Sequence, residues 1–496
     1  MEAYTRATSK LKGRLIAPYQ REGVVWMLLR ELHTENGPKG GFLCDEMGLG
    51  KTVQVISTLL GNPKPRTLII VPKSIVDQWR EEIDHFAPTL KMCIYDGPKR
   101  TTDINQFLMA DVTIAPYSVL VSKAKGSASA TTTILHDVFW DRVVLDEGHE
   151  IRSPKSKIFK SVMALKASIK WIITGTPVYN SMRDFVTLCA FLGLKQTLVQ
   201  GMSNTVRATY LLRRTKEDVA KFNPRLTLPP CDFENVELEM YPEEKKLYSE
   251  VYTDSCARVK TIMKSAEIQQ GQKAMDILEC LLRCRQVMIH PQLYYTGKFN
   301  QTMHPDDNKK WEGPTKKMDT LFELVATHPS EKTLIFCMFA EEMRFIQNQL
   351  ETHHGREVFK ISGQVPRDTR VEQIQKFKKS KTGCVFVIQI KAGGQGLNLQ
   401  EATRVYIMAP SWNPATELQA IARSHRTGQA KKVTVRKLIY AGEETLPSVE
   451  QSIMNLQSAK SVICAEVLND TRITAQIPAT NKKKITIHDL KKIFSV

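Results

Sequence analysis

GFLCDEMGLGKTVQVISTLL, residues 41–60, is the stretch that decides the fold. An apolar run is followed by a loop containing Gly48, Leu49 and Gly50, and then by a segment with helical periodicity. In such a strand–loop–helix unit, backbone N–H groups can surround a phosphate chain at the positive end of the helix. The two glycines allow the backbone to approach the phosphates closely, so the stretch predicts a nucleotide site.

The residues that follow the loop have the chemistry of an ATP site. Lys51 would reach the β- and γ-phosphates of ATP, and the hydroxyl of Thr52 would bind Mg²⁺. The strict P-loop pattern fails at its first position, where Asp45 replaces glycine. A tight strand-to-helix turn without a ligand is the alternative to be weighed against an ATP site.

A pair of carboxylates follows another apolar run, in RVVLDEGH at 142–149. Carboxylates at the carboxyl end of a parallel strand lie where α/β sheets bind ligands. Asp146 could hold Mg²⁺ through water, and Glu147 could polarise an attacking water. His149 is either a relay from the nucleotide or a structural group.

Short β-branched runs alternate with helix-length segments in two separate blocks. Continuous apolar strands of this kind predict parallel sheets covered on both faces, hence a duplicated α/β unit. The predicted strands lie at 41–46, 67–72, 111–117, 142–147 and 170–176, and then at 333–339, 357–363, 384–390, 404–410 and 433–439.

The stretch between the two blocks has a different pattern. Helical segments are expected from about 242 to 289, where Cys280 and Cys284 fall among core leucines such as Leu278 and Leu282 rather than forming a metal site. Residues 295–317 are polar and predict a mobile loop.

Composition limits the class of protein. The 496 residues carry 70 Lys and Arg against 52 Asp and Glu, a net charge of +18 that favours a polyanionic partner. No run of about 18 apolar residues occurs, which argues against a membrane helix, and ten cysteines are too few for a disulfide scaffold.

Taken together, the motifs resemble those of the Swi/Snf-type ATPases of helicase superfamily two, in which the first P-loop glycine is also replaced. The resemblance covers nearly the whole chain. It rests on LIAPYQREGVVWM (15–27), DEMGLGKT (45–52), LIIVPKSIVDQW (68–79), DEGH (146–149), ITGTPVYNSMRDF (173–185), LLRRTKEDV (211–219), LRCRQVMIHPQL (282–293), IQIKAGGQGLNLQEAT (388–403) and SWNPATELQAIARSHRTGQ (411–429).

The resemblance implies an α/β fold of two RecA-like parallel-sheet lobes in tandem, with helical insertions between them. We expect lobe one with a helical protrusion at 1–225, a helical linker with the mobile loop at 226–315, lobe two at 316–445, and a C-terminal brace helix with a basic tail at 446–496. It also implies a DNA-dependent ATPase with ATP and Mg²⁺ as cofactors, in which Gln20 reads the adenine.

The last of these motifs contains two arginines. Arg423 and Arg426 are three residues apart, so on a helix they would project from one face. In the family they stabilise charge on the γ-phosphate once the two lobes close. The glycines of KAGGQGLNL (391–399), Gly396 among them, are expected to contact phosphate or nucleotide or else to form a turn.

Contacts with DNA follow from the resemblance alone. One strand's backbone would be touched by both lobes, and phosphate contacts add affinity without reading sequence. The residues expected there are Lys73, Ser74, Thr113, Tyr117, Ser362, Gly363, Lys391 and Trp412. Each is equally explained as surface or packing, and Trp412 is better explained as a packing anchor.

Details such as IRSPKSK and APSWNPATELQA resemble the branch of post-replication-repair translocases and lodestar-type terminators, here without a RING domain. The function expected is translocation along double-stranded DNA by a monomeric motor that displaces or remodels bound protein, nucleosomes included. An RNA-directed helicase and an ATPase-idle DNA-binding scaffold are the alternatives. The expected location is nuclear, or a viral compartment if the chain is viral, with no membrane partner.

Overall fold

The computed structural model divides the chain into two compact units, Met1–Thr227 and, for the most part, Leu228–Val462. The structure describes residues 2–15, 17–34, 37–98, 100–121, 133–175, 182–201, 203–222, 229–265, 270–381, 383–393, 397–426, 428–468 and 493–494.

A parallel sheet of seven strands forms the centre of the first unit. The strand order is β3-β4-β2-β5-β6-β1-β7, and every neighbouring pair runs parallel. The strands are β1 (Lys39–Leu43), β2 (Thr67–Val71), β3 (Met92–Ile94), β4 (Val112–Pro116), β5 (Phe139–Asp146), β6 (Lys166–Ile173) and β7 (Leu211–Leu212). β2 and β4 are buried at every position, as expected for strands covered on both faces.

Helices pack on the two faces of this sheet. They are α1 (Glu2–Lys10), α2 (Pro18–Leu32), α3 (Lys51–Gly61), α4 (Val76–Phe86), α5 (Asn105–Leu108), α6 (Lys157–Met163), α7 (Met182–Leu192), α8 (Gln196–Gly201), α9 (Ser203–Tyr210) and α10 (Lys216–Phe222). Short 3₁₀ turns occupy Lys73–Ile75, Tyr117–Val121, Ile134–His136 and Gly148–Ile151. Two hydrophobic clusters, one on each face, bury the sheet.

Three adjacent strands position the candidate site. β6 pairs with β1 on one side and with β5 on the other. Because all three run parallel, the segments that follow them meet at one edge of the sheet. These segments are the glycine loop, the Asp146–Glu147 pair and the start of ITGT.

A second parallel sheet, of six strands, forms the second unit. Its order is β10-β11-β9-β12-β13-β8, again with every pair parallel. The strands are β8 (Cys231–Leu238), β9 (Thr333–Cys337), β10 (Val358–Ile361), β11 (Val385–Gln389), β12 (Arg404–Ile407) and β13 (Val433–Tyr440).

The helices of this unit share a core with its sheet. They are α11 (Pro242–Lys264), α12 (Gln270–Ile289), α13 (Pro291–Thr302), α14 (Lys316–Ala326), α15 (Ala340–Thr352), α16 (Arg367–Lys379), α17 (Ile390–Gly393), α18 (Pro414–Ile421) and α19 (Val449–Leu468), with a 3₁₀ turn at Pro305–Asp307. One hydrophobic cluster contains Tyr248 of α11, Leu281 of α12 and Leu438 of β13.

The two parallel sheets confirm the predicted α/β class, and the ten predicted strands are all present. Three corrections concern the middle of the chain. Residues 231–238, placed in the linker, form strand β8 of the second sheet. The expected loop at 295–317 is helical as far as Thr302. Leu278 and Leu282 are 42% and 39% exposed rather than in the core, whereas Cys280 and Cys284 are buried.

Little of the predicted C-terminal tail lies among the described residues. Within it, Ile493 and Phe494 are buried in the second unit, where the hydroxyl of Tyr252 donates to the Ile493 carbonyl at 3.0 Å. The small-residue stretch SKAKGSASATTT (122–133) predicts another flexible loop, and all of it except Thr133 lies outside the described residues.

Candidate ATP site

The glycine loop joins β1 to α3 through two left-handed backbone conformations. Gly48 and Gly50 have φ of 88° and 72°, values that side chains disfavour. A Cβ on Gly50 would also lie 2.6 Å from Nε2 of Gln20. Glycine is therefore required at Gly50, and the loop opens onto the N-terminus of α3, whose first N–H groups have no partner within the helix.

Lys51 is the first residue of α3, and its ammonium turns back over the loop. Nζ donates to the carbonyl oxygens of Asp45 and Glu46 at 2.8 and 3.4 Å. Gly175, just after β6, lies close by, because a Cβ there would be 3.9 Å from Nζ. Thr52 follows on α3 and is half-buried.

Asp45, the residue that breaks the strict P-loop pattern, is fully buried and held by an arginine. Arg214 donates from Nε to Oδ1 at 2.9 Å and from Nη2 to Oδ2 at 2.5 Å. Gln54 of α3 adds a bond from Nε2 to Oδ2 at 3.1 Å. The carboxylate thus ties the start of the loop to α3 and to the segment after β7, which explains why glycine is not needed there.

Arg214 and Gln54 are site residues that the sequence reasoning missed. Arg214 lies in LLRRTKEDV, a motif that supports the family resemblance but to whose arginines the sequence analysis assigns no role. A signal was present, because an acidic residue at the foot of a phosphate loop requires a cationic partner when it is buried.

Gln20 and its neighbour lie against the loop from α2. Gln20 is 4% exposed and donates from Nε2 to the Leu49 carbonyl at 3.4 Å. The Tyr19 hydroxyl donates to the same carbonyl at 3.0 Å, and burial raises the pKa of Tyr19 to about 12. The structure thus brings Gln20 to the loop, while adenine recognition stays a prediction.

Asp146 ends β5 with each carboxylate oxygen bonded to an N–H group. Trp79 donates from Nε1 to Oδ2 at 2.7 Å, and the backbone N–H of Glu147 donates to Oδ1 at 2.9 Å. Burial, followed by the nearby Glu147 charge, raises the pKa of Asp146 to about 6. A cation placed here would favour the ionised form.

Glu147 has a strained backbone for a residue with a side chain. Its φ is 48°, in the left-handed region. Its Oε2 lies 3.3 Å from Nδ1 of His149, which is also 3.4 Å from the Thr174 hydroxyl after β6. His149 therefore connects the carboxylate pair to the start of ITGT.

The residues present fit ATP and Mg²⁺. The glycine loop forms a cradle that a Cβ would fill, and the Lys51 ammonium lies at its edge. The Thr52 hydroxyl and the Asp146 carboxylate offer oxygen ligands, which Mg²⁺ prefers. Each Asp146 oxygen accepts one N–H bond from the described residues, and a carboxylate oxygen can accept a second bond from water.

The arrangement of the two arginines differs from the prediction. Helix α18 ends at Ile421, so Arg423 and Arg426 lie in the turn after it and not on one helical face. Side chains of this turn bond to backbone carbonyls elsewhere in the unit: Ser424 to Ala402 at 2.6 Å, and His425 to Pro229 at 2.9 Å. Such bonds compete with helix continuation.

Arg423 is anchored within this turn. It is 8% exposed and donates from Nε to the Gln419 carbonyl at 2.9 Å. Arg426 is half-buried. Gly396 of the neighbouring motif lies outside the described residues, and Gly393 ends the short helix α17.

Seven of the eight residues expected to contact DNA fall into two groups, and Trp412 is half-buried. Lys73, Ser74, Gly363 and Lys391 are exposed. Thr113, Tyr117 and Ser362 are buried, at 0%, 4% and 7% exposure.

Packing or hydrogen bonding within their own unit accounts for three of the eight residues. Thr113 lies inside β4, so its side chain cannot contact DNA in this structure. Tyr117 donates instead to the Asp146 carbonyl at 2.9 Å. Trp412 packs against the hydrophobic core of the second unit, with the Arg285 guanidinium 5.8 Å from its ring centre.

None of the helices among the described residues has both the length and the apolar character that a membrane span requires. Among the same residues, no group of three or more His, Cys, Asp or Glu side chains is arranged to hold a metal ion.

Comparison with known families gives two matches. The SNF2-related domain family matches residues 19–201 and 194–293. The family called helicase conserved C-terminal domain matches residues 316–428.

Individual proteins are similar along nearly the whole chain. The mouse SWI/SNF-related matrix-associated actin-dependent regulator of chromatin subfamily A member 1 is 29% identical, over 94% of this chain and 45% of its own length. The probable global transactivator of Orgyia pseudotsugata multicapsid polyhedrosis virus is 26% identical, over 96% of this chain and 94% of its own. A solved Sulfolobus solfataricus SWI2/SNF2 ATPase core in complex with dsDNA is 26% identical, over 94% of this chain and 96% of its own, with a TM-score of 0.40.

The first curated relatives are mostly longer proteins. This chain spans 27% to 52% of their length. The viral transactivator, matched over almost its full length, is of comparable size.

Proposed function

Because this chain belongs to the SNF2-related family, we propose that it is an ATP- and Mg²⁺-dependent motor that moves along double-stranded DNA and remodels or displaces protein bound to it. One observation carries the proposal. The glycine loop, the Asp146–Glu147 pair and the Thr174–Gly175 segment follow three adjacent parallel strands, which supports a role for all three in one ATP site.

The roles of the residues follow from their positions. The backbone of the glycine loop and Lys51 would bind the phosphates, and Thr52 and Asp146 would hold Mg²⁺. Bound Mg²⁺ would neutralise the charge of the phosphate chain. Glu147, whose carboxylate contacts His149, would orient the attacking water. Arg423 and Arg426 would stabilise charge that develops on the γ-phosphate.

Support for a DNA partner comes from the net charge of the chain and from its sequence similarity to known proteins. The chain has a net charge of +18, which suits a phosphate backbone. The mouse relative is named as a regulator of chromatin, which favours nucleosomes as a target. The exposed residues Lys73, Ser74, Gly363 and Lys391 are the contacts we propose.

Finer assignments belong to the same proposal. The repair and lodestar branch is favoured by the motif details, and an Arabidopsis DNA repair protein is 25% identical over 88% of this chain. We propose a monomeric motor that acts in the nucleus or, as the similarity to a viral protein of comparable size favours, in a viral replication compartment.

The test is the steady-state ATPase rate with no nucleic acid, single-stranded DNA, duplex DNA, duplex RNA and nucleosomes. We expect strong stimulation by duplex DNA, absent in Glu147→Gln and in Lys51→Ala. Stimulation by RNA alone would identify an RNA-directed helicase instead. A rate equal to that of Glu147→Gln under every condition would identify a DNA-binding scaffold without ATPase activity.

A further inference from the structure

Trp79 makes a contact with the candidate metal ligand that the proposed mechanism does not use. It lies on α4, is 2% exposed, and donates from Nε1 to Oδ2 of Asp146 at 2.7 Å. The other carboxylate oxygen is held by the N–H of Glu147, and the Asp146 carbonyl accepts from Tyr117. Of these donors, Trp79 is the only one that reaches the carboxylate from a separate helix.

Two other buried tryptophans in the first unit donate their indole N–H groups to acceptors outside the site. Burial alone therefore does not explain why the Trp79 indole donates to Asp146. A buried indole N–H needs an acceptor of some kind. Trp140 donates to the Leu135 carbonyl at 2.9 Å, and Trp171 to the Glu31 carboxylate at 2.8 Å, both outside the site. The Trp79 indole is instead aimed at the carboxylate that would hold Mg²⁺.

The position of α4 in the chain adds a second feature. The helix begins at Val76, directly after the 3₁₀ turn Lys73–Ile75. Lys73 and Ser74 of this turn are exposed, and they are among the DNA contacts proposed above. Ile75 is buried at 6% exposure, which anchors the turn to the core. A single helical turn therefore separates the exposed turn from the indole.

We propose that Trp79 is a positioning residue that sets the Asp146 carboxylate for Mg²⁺ and makes its position depend on the Lys73–Ser74 turn. The metal-positioning part stands on the contact alone, whereas the dependence on the turn rests on the proposed function. Groups that hold a metal ligand through a hydrogen bond commonly change metal affinity by about 10- to 100-fold when they are replaced.

The first experiment measures binding of a fluorescent ATP analogue without DNA, in Mg²⁺ and in EDTA, for the whole chain. For Trp79→Phe we expect about tenfold weaker binding in Mg²⁺ and unchanged binding in EDTA. Trp140→Phe is the matched control, since it removes an equally buried indole donor from a carbonyl outside the site, and should match the wild type in both buffers. Unchanged Mg²⁺-dependent binding in Trp79→Phe would overturn the positioning role.

Two further variants distinguish the hydrogen bond from Trp79 to Asp146 from a contribution of the Trp79 side chain to packing. A chain with 3-benzothienylalanine at position 79, in which sulfur replaces the indole N–H, keeps the side-chain volume and should reproduce the loss in Mg²⁺ even if Trp79→Phe folds poorly. In an Asp146→Asn background, Trp79→Phe should cause no additional loss. An additional tenfold loss in that background would mean that Trp79 acts through packing, which would overturn the proposal.

The second experiment compares the stimulation of ATPase activity by duplex DNA. We expect the ratio of stimulated to basal rate to fall in Trp79→Phe and to stay unchanged in Trp140→Phe. An equal ratio in wild type and Trp79→Phe would overturn the link to the turn. If duplex DNA does not stimulate the wild type, the proposed function and this link fail together, while the nucleotide-binding result still decides the metal-positioning role.

Discussion

At the residue scale, Glu342 is a carboxyl group removed from water in the second unit. It is 0% exposed, and its Oε2 accepts the backbone N–H groups of Met338 and Phe339 at 2.8 and 3.0 Å. These bonds cap the start of α15. Burial nevertheless dominates and raises the pKa of Glu342 to about 7.

The raised pKa of Glu342 predicts a pH dependence of stability. Between the ordinary glutamate pKa, about 4.5, and about 7, the folded chain keeps a proton that the unfolded chain has released. The free energy of unfolding should therefore decrease as pH rises through this window, by about 3 kcal/mol relative to Glu342→Gln. Urea unfolding at several pH values measures it. Glu351→Gln, which changes an exposed residue at the end of the same helix, is the control, and its free energy of unfolding should depend on pH as that of the wild type does. The same pH dependence in Glu342→Gln would contradict the raised pKa of Glu342.

At the scale of elements, the glycine loop is held by a buried ion pair between the segments that follow β1 and β7. Arg214 and Asp45 are joined by two side-chain hydrogen bonds, and Asp45 is completely buried. Pairs of this kind are costly to break because the remaining charge stays buried without a partner.

Arg214→Ala should therefore lower the free energy of unfolding of the first unit by about 3–5 kcal/mol. The double variant Arg214→Leu with Asp45→Asn removes both charges and should recover at least about 1 kcal/mol of that loss. Chemical unfolding followed by circular dichroism measures both. A double variant less stable than Arg214→Ala would show that Asp45 is not held chiefly by this arginine.

The turn after α18 is the second element to which a role in the proposed function is assigned. Arg426 lies outside the helix and is half-buried. Arg426→Ala should reduce the single-turnover ATPase rate by about 10³-fold while leaving nucleotide affinity nearly unchanged, because its charge would act on the transition state. Lys431→Ala, exposed in the next part of the same loop, is the control. Equal losses of rate and affinity would assign Arg426 to ground-state binding.

At the scale of the whole molecule, the residues proposed to act on ATP are divided between the two units. Lys51, Thr52 and Asp146 belong to the first unit, whereas Arg423 and Arg426 belong to the second. The sheet of the first unit and the hydrophobic clusters on it lie within residues 1–227.

A fragment of residues 1–227 should therefore fold and bind nucleotide without turning it over. Circular dichroism measures folding of the fragment, a fluorescent nucleotide measures binding, and a phosphate-release assay measures turnover. We expect nucleotide affinity within about tenfold of the whole chain, and no turnover above the Lys51→Ala background, with or without DNA. Turnover by the fragment at the rate of the whole chain would show that the arginines are dispensable.

How far the strands could be predicted depended on burial. β2, β4 and β9 are buried along their length, so their sequences are mostly apolar and contain β-branched residues. β8 was missed because it lies at the edge of its sheet, where most polar residues of CDFENVEL are exposed and the strand carries no apolar run. β3 and β7 have only three and two residues, too few for a periodic signal.

By itself, the sequence determined the two parallel sheets and the placement of the glycine loop and the Asp146–Glu147 pair after strands, because local patterns encode both. Only the tertiary structure decided which groups surround them. Arg214 lies 169 residues from Asp45, and Trp79 lies 67 residues from Asp146. The turn that carries Arg423 and Arg426 was likewise decided by bonds to distant carbonyls. Contacts across such separations depend on how the sheet brings strand ends together, and no local pattern in the chain records them.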